Sequence, residues 1–222
     1  KETIENCVAK KVPIMGVVAV VGTTEEGAID KVNEIVQLRD DFEKQGVSFY
    51  LHLDAAYGGY SRTLYLDENN DFMEYDELKR RVFEDGVFKY DTNYPKKEVY
   101  DAYKAFDASD SITIDPHKMG YVPYAAGGIV VKNERILDLI SEVAPYVFEE
   151  SGYGPEEIGS CILEGSKSGA AAAAVWASHQ SIPLNIKGYG EMIGRSIEAT
   201  RLLTQKLLDV KSIKVGDKEV LV

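Results

Sequence analysis

The N-terminal part of the chain alternates apolar runs with a helical pattern. Residues 13–21 form a continuous apolar run that is rich in β-branched side chains, and residues 49–54 form a second one. Such runs are typical of strands buried on both faces of a parallel sheet. Between them, apolar side chains recur at helical spacing over residues 29–44, with Asp30 as the expected N-cap and Gly46 closing the helix. The pattern therefore predicts a strand–helix–strand unit.

A third apolar run, at residues 111–114, leads directly into a proline and polar residues. Pro116 cannot donate a hydrogen bond to a sheet ladder, so the strand should stop there and leave His117 and Lys118 at its tip. Residues 125–131 predict a further strand, close enough in sequence to pair with it antiparallel. Together these elements predict an α/β fold, with a mainly parallel sheet flanked by helices in three layers.

The segment between the second and third strands differs in composition from the rest. Residues 64–110 are acidic and aromatic, with helical patterns near residues 75–83 and 97–106. We expect this segment to be an insertion that packs outside the sheet and takes no part in its core.

The C-terminal part of the chain predicts helices and a change of domain. Helical patterns cover residues 134–143, 166–182 and 186–208, and residues 144–159 are loop-like. We therefore assign residues 1–185, including the insertion at 65–110, to one large domain. Residues 186–222 are expected to be a helix and the start of a strand that lead into a small C-terminal domain.

Both ends of the chain suggest a piece of a longer polypeptide. Lys1 is not a start methionine, and residues 219–222 predict a strand that is only beginning.

The charge balance and the cysteines argue against several kinds of partner and site. The net charge is −12 at pH 7 without a dense basic cluster, which disfavours nucleic acid and anionic membrane surfaces as partners. Cys7 and Cys161 are far apart, so neither a disulfide framework nor a zinc site is indicated. With no signal-peptide pattern either, we expect a cytoplasmic protein. The longest apolar run, residues 170–177, is too short to span a membrane.

Two ionisable residues at strand ends suggest a cofactor site. Open α/β sheets bind ligands at the carboxyl ends of their strands, where Asp54 and Lys118 are expected. Pyridoxal 5′-phosphate (PLP) requires a lysine that forms a Schiff base with it and a carboxylate that keeps its pyridine nitrogen protonated. Lys118 and Asp54 suit these two roles. Each also has a simpler interpretation, as a solvated lysine and as a turn-capping aspartate.

Other polar residues could complete such a site. Thr23 and Thr24 end the first strand and could reach the cofactor ring or a substrate carboxylate, although capping of the turn explains them equally well. His117 could donate to the phosphate, or be structural. Ser166 and Ser168 could present hydroxyl and backbone N–H groups to a phosphate, or cap the alanine-rich helix.

Four motifs carry a resemblance to a known family: His52-Leu-Asp-Ala-Ala-Tyr-Gly-Gly59, Asp110-Ser-Ile-Thr-Ile-Asp-Pro-His-Lys118, Gly22-Thr-Thr24 and Gly165-Ser-Lys-Ser-Gly169. Together they resemble the PLP-dependent amino-acid decarboxylases of fold type I, the group that includes glutamate, aromatic-amino-acid and histidine decarboxylases. Within this group, the chain is most similar to the bacterial tyrosine decarboxylases. The resemblance implies the fold type I large domain and PLP as the cofactor.

The resemblance also implies a role for individual residues. Lys118 would be the Schiff-base lysine, Asp54 the partner of the pyridine nitrogen, and Ala56 the residue that packs on the ring. Thr23 or Thr24 would lie near the ring substituents.

Three further roles follow from the resemblance. His117 would lie at the active site. Ser166 would approach the phosphate of the neighbouring subunit's cofactor, which implies a homodimer with its active site at the subunit interface. Tyr146, in the loop at residues 144–159, would be the proton donor, with Tyr153 as the weaker candidate. Tyr124, which follows the lysine closely, could face the substrate pocket.

The chain departs from the family pattern in specific ways. Asp115 stands where animal aromatic-amino-acid decarboxylases have Asn, and those enzymes lack most of the segment at residues 64–110. The family's stacking histidine and main phosphate-binding loop should precede Lys1, so we expect the chain alone to bind PLP weakly.

The expected function is decarboxylation of an L-amino acid, with L-tyrosine giving tyramine and CO₂. Glutamate or another amino acid is the alternative substrate. A non-catalytic fragment used as a dimerisation scaffold is the alternative of a different class. A dinucleotide-binding protein is least favoured, because no Gly-x-Gly-x-x-Gly pattern follows either early strand.

Overall fold

A computed structural model describes residues 1–90, 93–141 and 167–210, and the backbone of two short strands after them. Its main sheet has four strands in the order β1-β2-β3-β4. The strands are β1 (Gly16–Val20), β2 (Tyr50–Asp54), β3 (Ser111–Ile114) and β4 (Gly128–Val131). The first three strands are parallel and β4 is antiparallel to β3, as the apolar runs predicted.

The register of the parallel strands brings their carboxyl ends to one edge of the sheet. Val20 is paired with Asp54, and Asp54 is paired with Thr113. Residues that follow β1, β2 and β3 therefore meet at this edge, which is where the candidate chemistry lies.

The two faces of the sheet differ in burial. Ala19, Leu51 and Leu53 point to one face and are fully buried in the main core. Side chains alternate along a strand, so Val18 points to the opposite face, where it is 59% exposed. Ile129 on β4 is 65% exposed. Within the described residues, helices cover one face of the sheet far better than the other.

The helices largely follow the predicted pattern. They are α1 (Glu2–Ala9), α2 (Val32–Glu43), α3 (Tyr75–Glu84), α4 (Lys97–Lys104), α5 (Leu137–Ile140), α6 (Ala170–Ser181) and α7 (Tyr189–Leu208). Short 3₁₀ helices span Gly59–Tyr65, Ala105–Ala108 and Glu134–Ile136. Two strands, β5 (Ser212–Val215) and β6 (Lys218–Leu221), pair as an antiparallel hairpin after α7. The sequence predicted a single strand beginning there.

The expected N-cap of α2 was wrong. The helix begins after Lys31, which makes no side-chain cap hydrogen bond. The carboxylate of Asp30 instead accepts a hydrogen bond from the backbone N–H of Val20, at 2.7 Å. The aspartate therefore secures the end of β1, and the helix gains no side-chain cap.

The expectation that residues 65–110 lie outside the core was also wrong. Tyr65, Tyr100 and Tyr103 are almost fully buried and share one hydrophobic core with the strand residues. Their rings pack together, with Tyr65 and Tyr103 centroids 4.8 Å apart. The hydroxyl of Tyr103 donates to the carbonyl of Gly58 at 2.9 Å. This segment thus packs along one side of the core, and Tyr103 fixes the backbone just after β2.

Helix α7 packs closely against the 3₁₀ helix at Gly59–Tyr65. A Cβ atom on Gly190 would lie 2.8 Å from the carbonyl oxygen of Thr63, so only glycine permits this approach. Among the helices that the structure describes, none has the length and apolar character needed to cross a lipid bilayer.

Candidate active site

The lysine turn, residues 115–122, follows β3 and carries Lys118. Within it, the Lys118 N–H donates to the carbonyl of Asp115 at 3.0 Å, and the Val122 N–H donates to the carbonyl of Pro116 at 3.1 Å. The strand ends before Pro116, as predicted. The turn is therefore a closed backbone structure, and its lysine follows the carboxyl end of a parallel strand.

The amine of Lys118 has a carboxylate partner in the same turn. Its Nζ lies 2.9 Å from Oδ2 of Asp115, and its side chain is 40% exposed. The backbone N–H of Asp115 donates to the carbonyl of Ala56 at 3.2 Å. This bond joins the lysine turn directly to the segment that follows β2.

Asp54 ends β2 and presents its carboxylate at the same edge. Its Oδ1 accepts a long hydrogen bond from the N–H of Ala56, at 3.3 Å. Within the described residues, Oδ2 of Asp54 has no hydrogen-bond partner. A half-buried carboxylate with a spare oxygen is suited to a ligand that donates a hydrogen bond.

A histidine on the exposed face fixes the two strands that carry these groups. The ring nitrogens of His52 on β2 lie 2.7 Å from the hydroxyl of Ser111 and 3.1 Å from that of Thr113, both on β3. Both nitrogens are therefore engaged, and His52 serves to tie β2 to β3. The sequence contained this residue in a motif but gave no signal of its cross-strand role.

The two threonines after β1 have different surroundings. The hydroxyl of Thr23 accepts a hydrogen bond from the N–H of Ala28 at 3.0 Å and donates to Glu26 at 3.1 Å. Its side chain is thus used in closing its own turn. Thr24 instead lines a cavity of about 610 Å³ that also contacts Met119, the neighbour of Lys118.

His117 and Tyr124 flank the lysine on the protein surface. Nδ1 of His117 lies 2.6 Å from the carbonyl oxygen of Ala126. Because a carbonyl only accepts, Nδ1 carries the proton, and Nε2 remains available toward the outside. Tyr124 is exposed and has no hydrogen bond to any described residue.

Two predicted site residues, Tyr146 and Ser166, lie outside the described residues. Ser168 is described: its hydroxyl accepts a hydrogen bond from the N–H of Ala170 at 3.2 Å. It therefore satisfies one backbone N–H in the first turn of α6, although the N-cap residue itself is Gly169, which makes no side-chain cap hydrogen bond.

Tyr60 and His179 form a contact beside the lysine turn that sequence reasoning did not identify. The Tyr60 hydroxyl lies 2.9 Å from Nε2 of His179, although the two residues are 119 positions apart. Their separation explains why no local pattern revealed them.

The residues at this edge fit PLP by the chemistry of their donor and acceptor groups. Asp54 offers an unpaired carboxylate oxygen to a protonated pyridine nitrogen, and Lys118 offers an amine to an aldehyde. The small side chain of Ala56, next to Asp54, leaves room for a flat ring. When both ring nitrogens of His117 carry a proton, its Nε2 can donate to a phosphate. Further phosphate-binding groups are not identified within the described residues.

Sequence comparisons find similar proteins over nearly the whole chain. Residues 1–66 match the family described as the pyridoxal-dependent decarboxylase conserved domain. The L-tyrosine decarboxylase of Enterococcus faecalis is 50% identical over 220 residues, which are 99% of this chain and 35% of that protein. The L-tyrosine decarboxylase of Levilactobacillus brevis is 53% identical over 97% of this chain and 34% of its own length. The chain thus spans about a third of the length of these curated relatives.

Solved structures show the same fold. Tryptophan decarboxylase from Catharanthus roseus superposes with a TM-score of 0.63 at 14% identity, over 96% of this chain and 37% of its own. Glutamate decarboxylase from Lactobacillus brevis gives a TM-score of 0.59 at 17% identity, over 89% of this chain and 36% of its own.

In sequence and fold the chain is thus similar to the pyridoxal-dependent decarboxylases of fold type I, whose cofactor is PLP. The mainly parallel sheet agrees with this similarity. Within this class, the chain is similar to the bacterial L-tyrosine decarboxylases.

Proposed function

We propose that the protein decarboxylates L-tyrosine to tyramine and CO₂ with PLP as its cofactor. The observation that carries this proposal is the placement of Asp54, a carboxylate with a spare oxygen, at the end of β2 and of Lys118 just after the neighbouring parallel strand β3. The choice of tyrosine is supported by the two relatives of 50% and 53% identity that bear that activity in their names.

Each residue has a defined task in this proposal. Asp54 accepts the hydrogen bond of the pyridine nitrogen and keeps that nitrogen protonated. The chemistry that bound PLP supplies is electron withdrawal, which stabilises the negative charge left on Cα as CO₂ departs. Lys118 would hold the cofactor at its aldehyde carbon through its amine.

The remaining residues orient groups or move protons. His117 holds its Nδ1–H against the carbonyl of Ala126, so it donates through Nε2 to the phosphate or the substrate carboxylate only in its doubly protonated form, which is the form that this role requires. Ala56 packs on the cofactor ring, and Thr24 or Thr23 lies near its substituents. Tyr146 returns a proton to Cα, Ser166 binds the phosphate across the subunit interface, and Tyr124 faces the substrate.

We also propose a homodimer and a cytoplasmic location. Helix α6 has no buried residue, and Trp176 on it is 66% exposed. An apolar helix surface of this kind is typical of an interaction surface. The substitution Trp176→Glu should therefore shift the sedimentation of the native polypeptide from dimer toward monomer. The free thiol of Cys7 is in keeping with a reducing compartment.

The test compares two lysines in the native polypeptide that contains this chain. Lys118→Ala should abolish the formation of tyramine from tyrosine in the presence of PLP. Lys132→Ala is the matched control, because the amine of Lys132 donates to the carbonyl of Asp107 at the opposite edge of the sheet. Full activity of Lys118→Ala would refute the proposal.

The substrate is tested with the same preparation. Tyrosine, phenylalanine and glutamate are supplied separately, and each amine product is quantified. Faster turnover of glutamate than of tyrosine would identify a glutamate decarboxylase. If no substrate is converted and PLP forms no lysine adduct, the protein is a scaffold.

A further inference from the structure

The side chain of Tyr60 packs against the backbone of the lysine turn. Tyr60 is only 5% exposed. A Cβ atom built on Gly120 would lie 2.6 Å from Cζ of Tyr60 and 2.6 Å from the carbonyl oxygen of Pro116. The absence of a side chain at position 120 therefore lets the aromatic ring lie directly on the backbone, two residues after Lys118.

The lysine turn also contacts the same aromatic group through its neighbouring side chain. Met119 packs on a small hydrophobic cluster that contains Tyr60, Tyr189 and Ile193. Tyr189 and Ile193 belong to α7. Met119, the residue next to Lys118, therefore packs against both the 3₁₀ helix and α7.

The hydroxyl of Tyr60 is held in place from a different helix. It lies 2.9 Å from Nε2 of His179 on α6, and the two ring centroids are 5.8 Å apart. The rings of His179 and Tyr189 also make an edge-to-face contact, with their centroids 6.0 Å apart. The hydroxyl of Tyr189 is itself 2.6 Å from that of Ser178, also on α6.

The protonation states of Tyr60 and His179 determine which of them donates the hydrogen bond between them. Burial raises the pKa of Tyr60 to about 12, so its hydroxyl keeps its proton at neutral pH. Burial lowers the pKa of His179 below its usual value, so the imidazole is neutral there. The phenol therefore donates to Nε2, and the proton of the imidazole resides on Nδ1.

We propose that Tyr60 is a positioning residue for Lys118, and that His179 fixes the orientation of Tyr60. Tyr60 contacts the backbone of Gly120 rather than the lysine side chain, so it acts through the turn. By fixing that turn between the 3₁₀ helix, α6 and α7, it sets the direction in which the amine of Lys118 leaves the backbone. This inference rests on the proposed function, in which Lys118 bonds PLP.

The experiment measures the rate at which Lys118 bonds PLP. The native polypeptide is mixed with PLP, samples are reduced with borohydride at intervals, and the modified lysine is located by peptide mapping. The amine condenses with the aldehyde with loss of water, and hydride reduction then makes the bond permanent. This readout does not depend on turnover of any substrate.

Three variants and one control separate positioning from general stability. Tyr60→Phe keeps the ring on Gly120 but loses the hydrogen bond, and His179→Leu loses the acceptor. His179→Gln restores an acceptor oxygen near the position of Nε2. Tyr65→Phe is the control: it lies on the same 3₁₀ helix and is fully buried, and it loses a comparable hydrogen bond, to Tyr94 at 3.0 Å.

Tyr60→Phe and His179→Leu should slow labelling of Lys118 by roughly three- to tenfold, the effect expected from losing one buried hydrogen bond that holds the group in place. His179→Gln and Tyr65→Phe should label at nearly the rate of the unmodified protein. Thermal unfolding of each variant checks that it is folded. Because His179 is only half-buried, His179→Leu still tests the positioning role of Tyr60 if Tyr60→Phe is unstable.

The outcomes distinguish this inference from the proposed function. If the unmodified protein is not labelled at Lys118, the proposed function itself fails. If it is labelled and all four variants react at the same rate, the positioning role of Tyr60 is refuted. Equal slowing by Tyr60→Phe and Tyr65→Phe would also refute it, because the effect would then reflect stability alone.

Discussion

The amine nitrogen of Lys118 lies 2.9 Å from Oδ2 of Asp115, three residues earlier in the same turn. The lysine side chain is 40% exposed, so water and salt screen this ion pair. The Asp115 side chain is 17% exposed, and a partly exposed pair of this kind contributes on the order of 1 kcal/mol to stability. The carboxylate therefore keeps the amine near the turn without binding it so strongly that a cofactor could not compete.

The substitution Asp115→Asn tests this interpretation. Asparagine retains a side-chain oxygen that can accept a hydrogen bond, and the backbone bond to Ala56 is unaffected. We expect the free energy of unfolding to change by less than about 1 kcal/mol, with a smaller difference at high salt. Urea unfolding at low and high salt measures both quantities. A loss of more than about 2 kcal/mol that salt leaves unchanged would contradict a screened, exposed pair.

Gly120→Ala should destabilise the protein, because the added methyl group meets two rigid neighbours. It would lie 2.6 Å from both the carbonyl oxygen of Pro116 and the ring of the buried Tyr60. Overpacking of this kind costs about 1–3 kcal/mol. Gly169→Ala is the matched control, since a Cβ atom there meets nothing within 4 Å. Denaturant unfolding should find the control nearly unchanged, and equal stability of the two variants would count against the close contact.

The sheet and its chemical edge could be predicted from the sequence. The apolar runs and Pro116 were sufficient to place β1, β2 and β3 in parallel, with Asp54 at the end of β2 and Lys118 beyond the end of β3. This worked because buried parallel strands have a strong local signature, and because a proline limits where a strand can continue.

Contacts between distant residues could not be predicted in this way. The segment at residues 65–110 was expected outside the core because it is rich in acidic residues. Its sequence pattern therefore did not indicate that Tyr65, Tyr100 and Tyr103 are buried. Tyrosine can be buried when its hydroxyl finds a partner, and that partner is visible only in three dimensions. The bond between Tyr60 and His179 was hidden for the same reason.

Glu198 on α7 should be important for stability. It is buried, and its carboxylate accepts hydrogen bonds from the backbone N–H groups of Lys89 and Tyr90, at 2.6 and 2.7 Å. Glu198→Ala leaves both donors unpaired and should cost about 3 kcal/mol, whereas Glu198→Gln keeps an acceptor and should cost about 1 kcal/mol. Denaturant unfolding measures both effects.

Glu191 on the same helix provides the comparison for Glu198. It forms an ion pair with Arg195 at 2.6 Å, one turn away on the same helix. Glu191→Ala should therefore lower stability by less than about 0.5 kcal/mol. A similar loss for Glu191→Ala and Glu198→Ala would show that the backbone hydrogen bonds of Glu198 contribute little.

Acid should weaken the contact between Glu68 and Arg81. The hydrogen bond from Arg81 lowers the pKa of Glu68 from 4.5 to about 2. Because the folded-state pKa is lower than the unfolded one, this stabilisation is fully present above about pH 4.5 and is lost as the pH falls through about 2. Arg81→Gln should therefore make stability less dependent on pH over this window.

The measurement is the unfolding midpoint in urea from above pH 4.5 down to about pH 2. Arg80→Gln is the control, because Arg80 is paired with Glu84 in an exposed position on the same helix. The control should follow the pH dependence of the unmodified protein. If Arg81→Gln follows it as well, the pKa of Glu68 does not depend on Arg81.

The proposed function requires that Lys118 is the lysine that bonds PLP. The native polypeptide is incubated with PLP, reduced with borohydride and digested, and the modified peptide is identified by mass spectrometry. The cofactor should be attached to Lys118, and Lys132 at the opposite edge of the sheet should remain unmodified. Attachment to another lysine, with Lys118 unmodified, would contradict the proposed function.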